Sequence, residues 1–367
     1  MWSRPEFGTM RESIGTCRTR STMISWMPWA AACLWGMATL FGLAGEPALR
    51  RFEFSQAHMG TLFRIIVYAP DAATASRASN AAFQRIATLD NTMTDYSPSS
   101  ELMSLCRKAG GPPVRVSEDL YRVLAQAQEL AARTNGAFDV TVGPVMRLWR
   151  RARRQREMPD AEELARARKL VGYRKLRLDP RARTVQLLEK GMRLDLGGIA
   201  KGYAADEALA VLKQHGITRA LVVAGGEMAA SAPPPGRDGW RIGIAPLESP
   251  EKPPMRFLML REAAVSTSGD AEQYVELGGI RYSHIVDPRT GMGVVGRSSV
   301  TVVAPKATAS DSLATAVSVL GPEQGLELIR STPGTAVLII RATDRGPRIF
   351  ELNLSPYAAP ATGEPPP

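Results

Sequence analysis

Three short stretches of this chain carry residues able to handle phosphate, metal or a proton. The first is Leu194-Asp195-Leu196-Gly197-Gly198-Ile199-Ala200-Lys201-Gly202-Tyr203. Paired glycines let backbone approach a ligand closely. A helix starting directly after them turns its N–H groups and positive dipole end toward that ligand. Such a turn can seat a diphosphate, with Lys201 adding a point charge. Its glycine spacing is not the dinucleotide fingerprint, and the same turn serves equally well as a tight connection. The second stretch runs from Ala304 to Thr315. Asp311 and Thr315 are four apart, so a helix sets both side-chain oxygens on one face. A carboxylate plus a hydroxyl suits a hard cation such as Mg²⁺; Thr308-x-x-Asp311 also reads as a capping box. The third stretch is Tyr282 to Gly291. Its His284 suits acid or base work, since an unperturbed imidazole changes charge near neutrality, or a structural hydrogen bond. Asp287 before Pro288 starts a turn, and Arg289 is either a surface charge or a phosphate contact.

Two further segments complete the set. In Gly136 to Pro144, Asp139 is suited to bond a ring or ribose, or to cap a turn. In Met93 to Tyr96, Tyr96 is suited to stack on a planar ring, or to sit half-buried.

The elements that position these residues alternate along the chain. Thr61–Tyr68 is predicted as a strand from its β-branched and aromatic content. Ala72–Asn91 and Asp119–Thr134 carry apolar residues at helical spacing, and Pro159–Leu170 is a charged third helix. Arg174–Leu178 and Thr184–Leu188 read as strands joined across Asp179-Pro180. Met192–Leu196 is predicted as a strand entering the glycine turn, with Ala200–His215 as the helix that leaves it. Strands follow at Ala220–Val223, Trp240–Ala245 and Ala264–Thr267, then a hairpin over Gln273–Val286 about Gly278-Gly279. Ser298–Ala304 is a further strand, and Ser310–Leu320 a helix stopping at Gly321. The mixture implies an α+β protein with mixed β-sheets and flanking helices, not a doubly wound sheet.

Composition narrows the chemistry. The chain has 367 residues and a formal net charge of +10, enough length for a substantial core. Cys17, Cys33 and Cys106 are the only cysteines and His58, His215 and His284 the only histidines, which excludes a disulfide framework and a zinc site of the usual spacing. Arg147, Arg150, Arg151, Arg153, Arg154 and Arg156 form a basic run. Without interleaved aromatics or a recognition motif it reads as a solvated helix face or a contact for anionic lipid, and no nucleic-acid partner is expected. Residues 1–45 read as a signal peptide or membrane anchor: Arg11, Arg18 and Arg20 precede an apolar run from Met23 to Gly45. Cleavage near Leu43-Ala44-Gly45 is favoured over retention. Ala30-Ala31-Ala32-Cys33 lacks the Leu of a lipoprotein box. An exported protein on the periplasmic face of the bacterial inner membrane follows. The folded domain is expected over 52–355, with a disordered tail at 356–367.

Taken together and in order, Met59-Gly60-Thr61, Met93 to Tyr96, Ala137 to Pro144, Asp195 to Tyr203, Ser266 to Asp270, Tyr282 to Gly291 and Ala304 to Thr315 resemble the FAD:protein FMN transferase (ApbE-type) family. The runs LDLGGIAKGYA and YSHIVDPRTG carry the resemblance most specifically. It implies an ApbE-like fold that takes FAD as substrate with Mg²⁺. The family moves FMN onto a Thr or Ser hydroxyl of an extracytoplasmic flavoprotein subunit bearing a Ser-Gly-Ala-Thr-like motif, releasing AMP. Carried over by position, Asp311 and Thr315 ligate Mg²⁺ through side chains and Gly198 through its carbonyl. Met59, Tyr96, Ala137, Phe138, Asp139, Asp195, Lys201 and Ile285 fall where the family contacts FAD. His284 and Asp311 are the catalytic positions, His284 assisting the acceptor hydroxyl or holding the reacting phosphate. Ala224, Ala271 and Ala314 depart from the family's common residues and bear on the fine contacts of the pocket. Two alternatives use the same residues: an FAD pyrophosphate hydrolase giving FMN and AMP, and a non-catalytic exported FAD-binding protein.

Overall fold

The computed structural model describes residues 48–247, 252–269 and 273–359. The expected signal or anchor segment at 1–45, Asp270, Ala271 and tail residues 360–367 lie outside the described residues.

A hairpin leads. Strands β1 (Arg50–His58) and β2 (Thr61–Ala69) pair antiparallel from Arg50↔Ala69 to His58↔Thr61. Met59 and Gly60 make the turn at φ 48° and 73°, the two-residue geometry whose twist matches the strands. The sequence reading begins the fold near Phe52 and does not anticipate β1, a solvent-rich edge strand whose charged residues obscure it. Helix α1 (Ala72–Met93) follows, capped by Asp71, and buries Ala75, Ala78, Ala82, Phe83, Ile86 and Leu89 on one face. Next come α2 (Glu101–Arg107), β3 (Val114–Arg115) and α3 (Glu118–Arg133), the last capped by the Ser117 hydroxyl. Helix α4 (Gly143–Gln155) holds the arginine run, with Pro144 in its first turn, where a missing N–H costs nothing. Helix α5 (Ala161–Arg168) precedes β4 (Leu176–Asp179) and β5 (Thr184–Leu187), which join β3 in a small sheet.

Met192–Leu196, predicted as a strand, joins no ladder. Its amides go elsewhere: Asp195 N–H donates to the Val140 carbonyl at 2.8 Å and Leu194 N–H to Cys106 Sγ at 3.3 Å. Helix α6 (Ala200–Gln214) leaves the glycine turn. After it come β6 (Ala220–Ala224), β7 (Glu227–Ala230), β8 (Trp240–Ile244), β9 (Arg256–Leu260) and β10 (Ala263–Gly269). The predicted hairpin about Gly278-Gly279 is β11 (Tyr274–Leu277) with β12 (Ile280–Asp287), and β13 (Met292–Val295) completes that sheet. The chain continues through β14 (Ser298–Ala304), α7 (Ala307–Arg330), β15 (Ala336–Arg341) and β16 (Arg348–Leu352). Helix α7 breaks at Gly321 (φ 76°, ψ −178°), where its end is predicted, and restarts at Pro322.

The main sheet runs β1-β2-β6-β7-β10-β14-β15-β16. Every pairing between named strands is antiparallel, so the α+β mixture lies in its layers, not in strand direction. Side chains alternate across a strand. Ile65, Val67 and Val222 join α1 and α6 in the larger core, while Ile66, Leu221 and Val223 pack with Trp240 and Leu258 from the β8–β9 ribbon. Burial on both faces explains the continuous apolar run of β6. The expected tail begins at 356, yet Ser355–Tyr357 form a 3-10 turn and Ala359 N–H donates to the Phe257 carbonyl, so the chain stays docked to β9 through Ala359. Among the described residues no helix is long and apolar enough to cross a membrane.

Candidate active site

The glycine turn and the first half of α7 meet face to face. A Cβ on Gly198 would lie 2.8 Å from Thr315 Oγ1 and 3.2 Å from its Cγ2; one on Gly202 would lie 2.2 Å from the Ala307 carbonyl oxygen. Only glycine allows that approach. Asp311 is buried at 2% exposure and accepts a 3.0 Å hydrogen bond from Gly202 N–H. The capping-box alternative for Asp311 does not form. Asp206 of α6 takes the free amides of α7 instead, accepting from Ala307 N–H, Thr308 N–H and the Thr308 hydroxyl at 2.7–2.9 Å. That cap starts α7 three residues before the predicted Ser310 and leaves Asp311 facing the turn. The turn's own amides are partly engaged: Gly197 N–H bonds Asp195 Oδ1 at 2.9 Å, and Ala200 N–H bonds the Leu196 carbonyl.

Charges gather at this junction. Lys201 Nζ donates to the Gly197 carbonyl at 2.8 Å and stands 3.5 Å from Glu227 Oε1. Burial raises the Asp311 carboxyl above its ordinary value, against the Lys201 charge and the Gly202 N–H, which favour its ionised form. Burial, with the Asp311 charge added, pushes Glu227 up to about 8 although Lys201 pulls it down. For Lys201 burial opposes the ammonium, but the carboxylates of Asp311, Glu227 and Asp195 outweigh it and hold the charge firmly. Among the described residues no group of three or more His, Cys, Asp or Glu side chains is placed to hold a metal. The Asp311 carboxylate and Thr315 hydroxyl beside a glycine cradle are hard oxygen donors, a set that fits Mg²⁺, which keeps several waters and takes few carboxylates.

A second network leads from the turn to Tyr96. Arg150 of α4 bonds Asp195 Oδ2 at 2.6 Å and also bonds Asp95, while its guanidinium lies over the Tyr96 ring, 4.7 Å from the centroid. Tyr96 is 76% exposed, not half-buried, which leaves its ring free to stack. It lines a cleft of about 310 Å³ with Arg153, Arg154, Gln273 and Tyr274. Arg150 is thus no solvated charge, although its neighbour Arg154 is exposed. Burial raises the Asp195 carboxyl against the pull of Arg150. Asp139 caps a turn, accepting from Thr141 N–H and Oγ1 at 2.8 and 2.7 Å, and also lines a cleft of about 500 Å³ with Tyr173, Arg174 and Arg289.

The remaining expected residues are placed less tellingly. Ala137, Phe138 and Ile285 are buried, so their side chains serve the core. Met59 sits at the β1–β2 turn, its N–H bonded to Asp90 Oδ2 at 2.8 Å. His284 is on β12, which packs against α7, with its Nδ1 3.1 Å from the Gln273 carbonyl. Arg289 forms a two-point pair with Asp287 at 2.9 Å, so in this structure it serves the turn. Sequence reasoning misses Glu227, Arg150 and Asp206. Glu227 alone leaves a signal, a single acid after Gly225-Gly226 in an otherwise apolar run.

Comparison with known proteins identifies the family. The pattern of the ApbE family matches residues 59–339. The FAD:protein FMN transferase of Treponema pallidum is 32% identical over 336 residues, covering 88% of this chain and 92% of that protein. That of Salmonella typhimurium is 32% identical over 304 residues, covering 81% and 85%. The solved flavin transferase ApbE from Vibrio cholerae aligns with a TM-score of 0.76 at 28% identity, covering 84% of this chain and 99% of that one. On a match spanning nearly the whole folded sequence, and on relatives this similar over almost their full length, the chain belongs to the ApbE family.

Proposed function

We propose that this protein transfers the FMN half of FAD to a Thr or Ser hydroxyl of an extracytoplasmic recipient protein, with Mg²⁺ at Asp311, Thr315 and Gly198. The acceptor oxygen bonds the FMN phosphorus, the diphosphate P–O bond to AMP breaks, and the hydroxyl proton leaves. Bound Mg²⁺ supplies neutralisation of the diphosphate charge. The chain's own residues do the rest by positioning, the main demand of phosphoryl transfer. Lys201 offers a fixed positive charge beside the glycine turn, Tyr96 a face for a planar ring, and His284 a ring nitrogen to hold or move the hydroxyl proton. The observation that supports the reading most is the convergence of Asp311 and Thr315 on Gly198 and Gly202. The recipient is expected to carry a Ser-Gly-Ala-Thr-like motif. The basic n-region and apolar run of residues 1–45 support export and work at the periplasmic face of the inner membrane.

The test is incubation with FAD and Mg²⁺, with and without a recipient domain, followed by mass spectrometry of the recipient and assay of AMP. A recipient heavier by one FMN, with AMP formed in step, supports transfer. AMP formed regardless of recipient supports FAD hydrolysis, and FAD binding without AMP supports a carrier; either result overturns the proposal.

A further inference from the structure

Glu227 has no role in the reading above, yet the fold builds a place for it. It is 5% exposed, and its Oε2 is buried without a hydrogen-bond partner. The residues around it fix that position. Gly225 turns at φ 69°, where a Cβ would lie 3.0 Å from Thr61 Oγ1, and a Cβ on Gly226 would lie 2.9 Å from the Thr267 carbonyl oxygen. Glu227 then pairs with Ala224 of β6 and Ser266 of β10. Ser266 Oγ is in turn 2.7 Å from Ser310 Oγ, one residue before Asp311. A carboxylate held so firmly among apolar strand residues is costly unless it answers a charge.

The charge it answers is Lys201. One ammonium sits under the influence of three buried carboxylates, Glu227 at 3.5 Å, Asp311 and Asp195, and the last of these is already paired with Arg150. Without Glu227, the Lys201 ammonium would neutralise Asp311 alone. Above about pH 8, where the Glu227 carboxyl gives up its proton, Lys201, Glu227 and Asp311 sum to one negative charge, and Asp311 keeps its attraction for a cation. We infer that Glu227 is a positioning residue that acts as counter-ion to Lys201, keeping Asp311 available to a divalent cation while holding the ammonium against the Gly197 carbonyl. This rests on the proposed cation site at Asp311.

The experiment is Mn²⁺ titration of the flavin-free protein above about pH 8, where Glu227 is ionised, read by electron paramagnetic resonance, so no turnover is needed. A unit charge a few ångströms away at an effective dielectric of about 20 changes cation affinity about tenfold or more. Glu227→Gln should therefore weaken Mn²⁺ binding by that order, and Lys201→Gln should tighten it by a similar factor. The double variant Glu227→Gln/Lys201→Gln should return close to the parent value, a rescue that a merely structural Glu227 would not produce. Should Glu227→Gln not fold, the tightening in Lys201→Gln still tests the charge balance. Asp311→Asn separates the two claims. Unchanged Mn²⁺ binding in Asp311→Asn overturns the cation site and this inference with it. Loss there, with parent affinity in both Glu227→Gln and Lys201→Gln, overturns the counter-ion role alone.

Discussion

At Gly198 and Thr315 two functions share one contact, and substitutions can pull them apart. Thr315→Val keeps the shape that packs against Gly198 but removes the oxygen that a cation would use. It should leave stability within about 1 kcal/mol while lowering the transfer rate by about two orders of magnitude, the scale on which single electrostatic groups act in catalysis. Gly198→Ala should lose both, since its Cβ would stand 2.8 Å from Thr315 Oγ1. Rates of FMN attachment beside urea unfolding curves check the pair; equal activity in Thr315→Val and the parent would remove Thr315 from the metal set. Tyr96 offers the complementary case. Its exposed ring is held from one side by Arg150, so Tyr96→Ala should weaken FAD binding by up to about tenfold, as loss of an aromatic contact does. Tyr96→Phe should bind like the parent, and flavin fluorescence titration would show it.

At the scale of elements, the junction of α6 with α7 decides whether these residues meet at all. Gly202→Ala would drive a Cβ to 2.2 Å from the Ala307 carbonyl and 2.8 Å from Asp311 Cβ. The helices must separate, at about 1–3 kcal/mol or more for an overpacked contact, and cation binding should fall with stability. Asp206→Ala strips three hydrogen bonds from the start of α7 and should cost about 1–2 kcal/mol as a lost cap. Calorimetric melting would register both; an unshifted Asp206→Ala would mean that α7 starts without its cap. This junction was only half legible in the sequence. The glycine pairs, the i to i+4 spacing of Asp311 and Thr315, and the Gly321 stop are local signals, and each names its element directly. Arg150 and Asp206 are not local. Arg150 finds its acids 55 and 45 residues away, and within its own segment it looks like one more arginine. Asp206 likewise caps a helix 101 residues later, so Thr308-x-x-Asp311 mimics a cap that another element already supplies. Met192–Leu196 misleads for the same reason: its pattern is strand-like, but its hydrogen bonds go to a turn and a thiol.

For the molecule as a whole, buried carboxylates set how stability follows pH. Glu227 is raised from 4.5 to about 8, so between those values the folded state binds a proton that the unfolded chain has released. Stability then falls as pH rises through that window and levels off above about 8, because it is the unfolded state that binds fewer protons. Asp119 works in the opposite sense at lower pH: burial opposes its charge, but bonds from Arg85 and Tyr203 hold its carboxyl below the ordinary value. Its contribution is present above the ordinary carboxylate range and fades as pH falls through the lowered value. The metal-free protein should therefore melt at a higher temperature at about pH 5.5 than at about pH 8.5. A divalent cation binds better to the ionised site, and whatever binds only the folded state stabilises it. Mg²⁺ should raise the melting temperature more at the alkaline end, flattening the slope. Scanning calorimetry in chelator and then in excess Mg²⁺ checks both signs at once. In Glu227→Gln the metal-free slope over this window should shrink, since the group that carries it no longer titrates; an unchanged slope would place the excess proton on another residue.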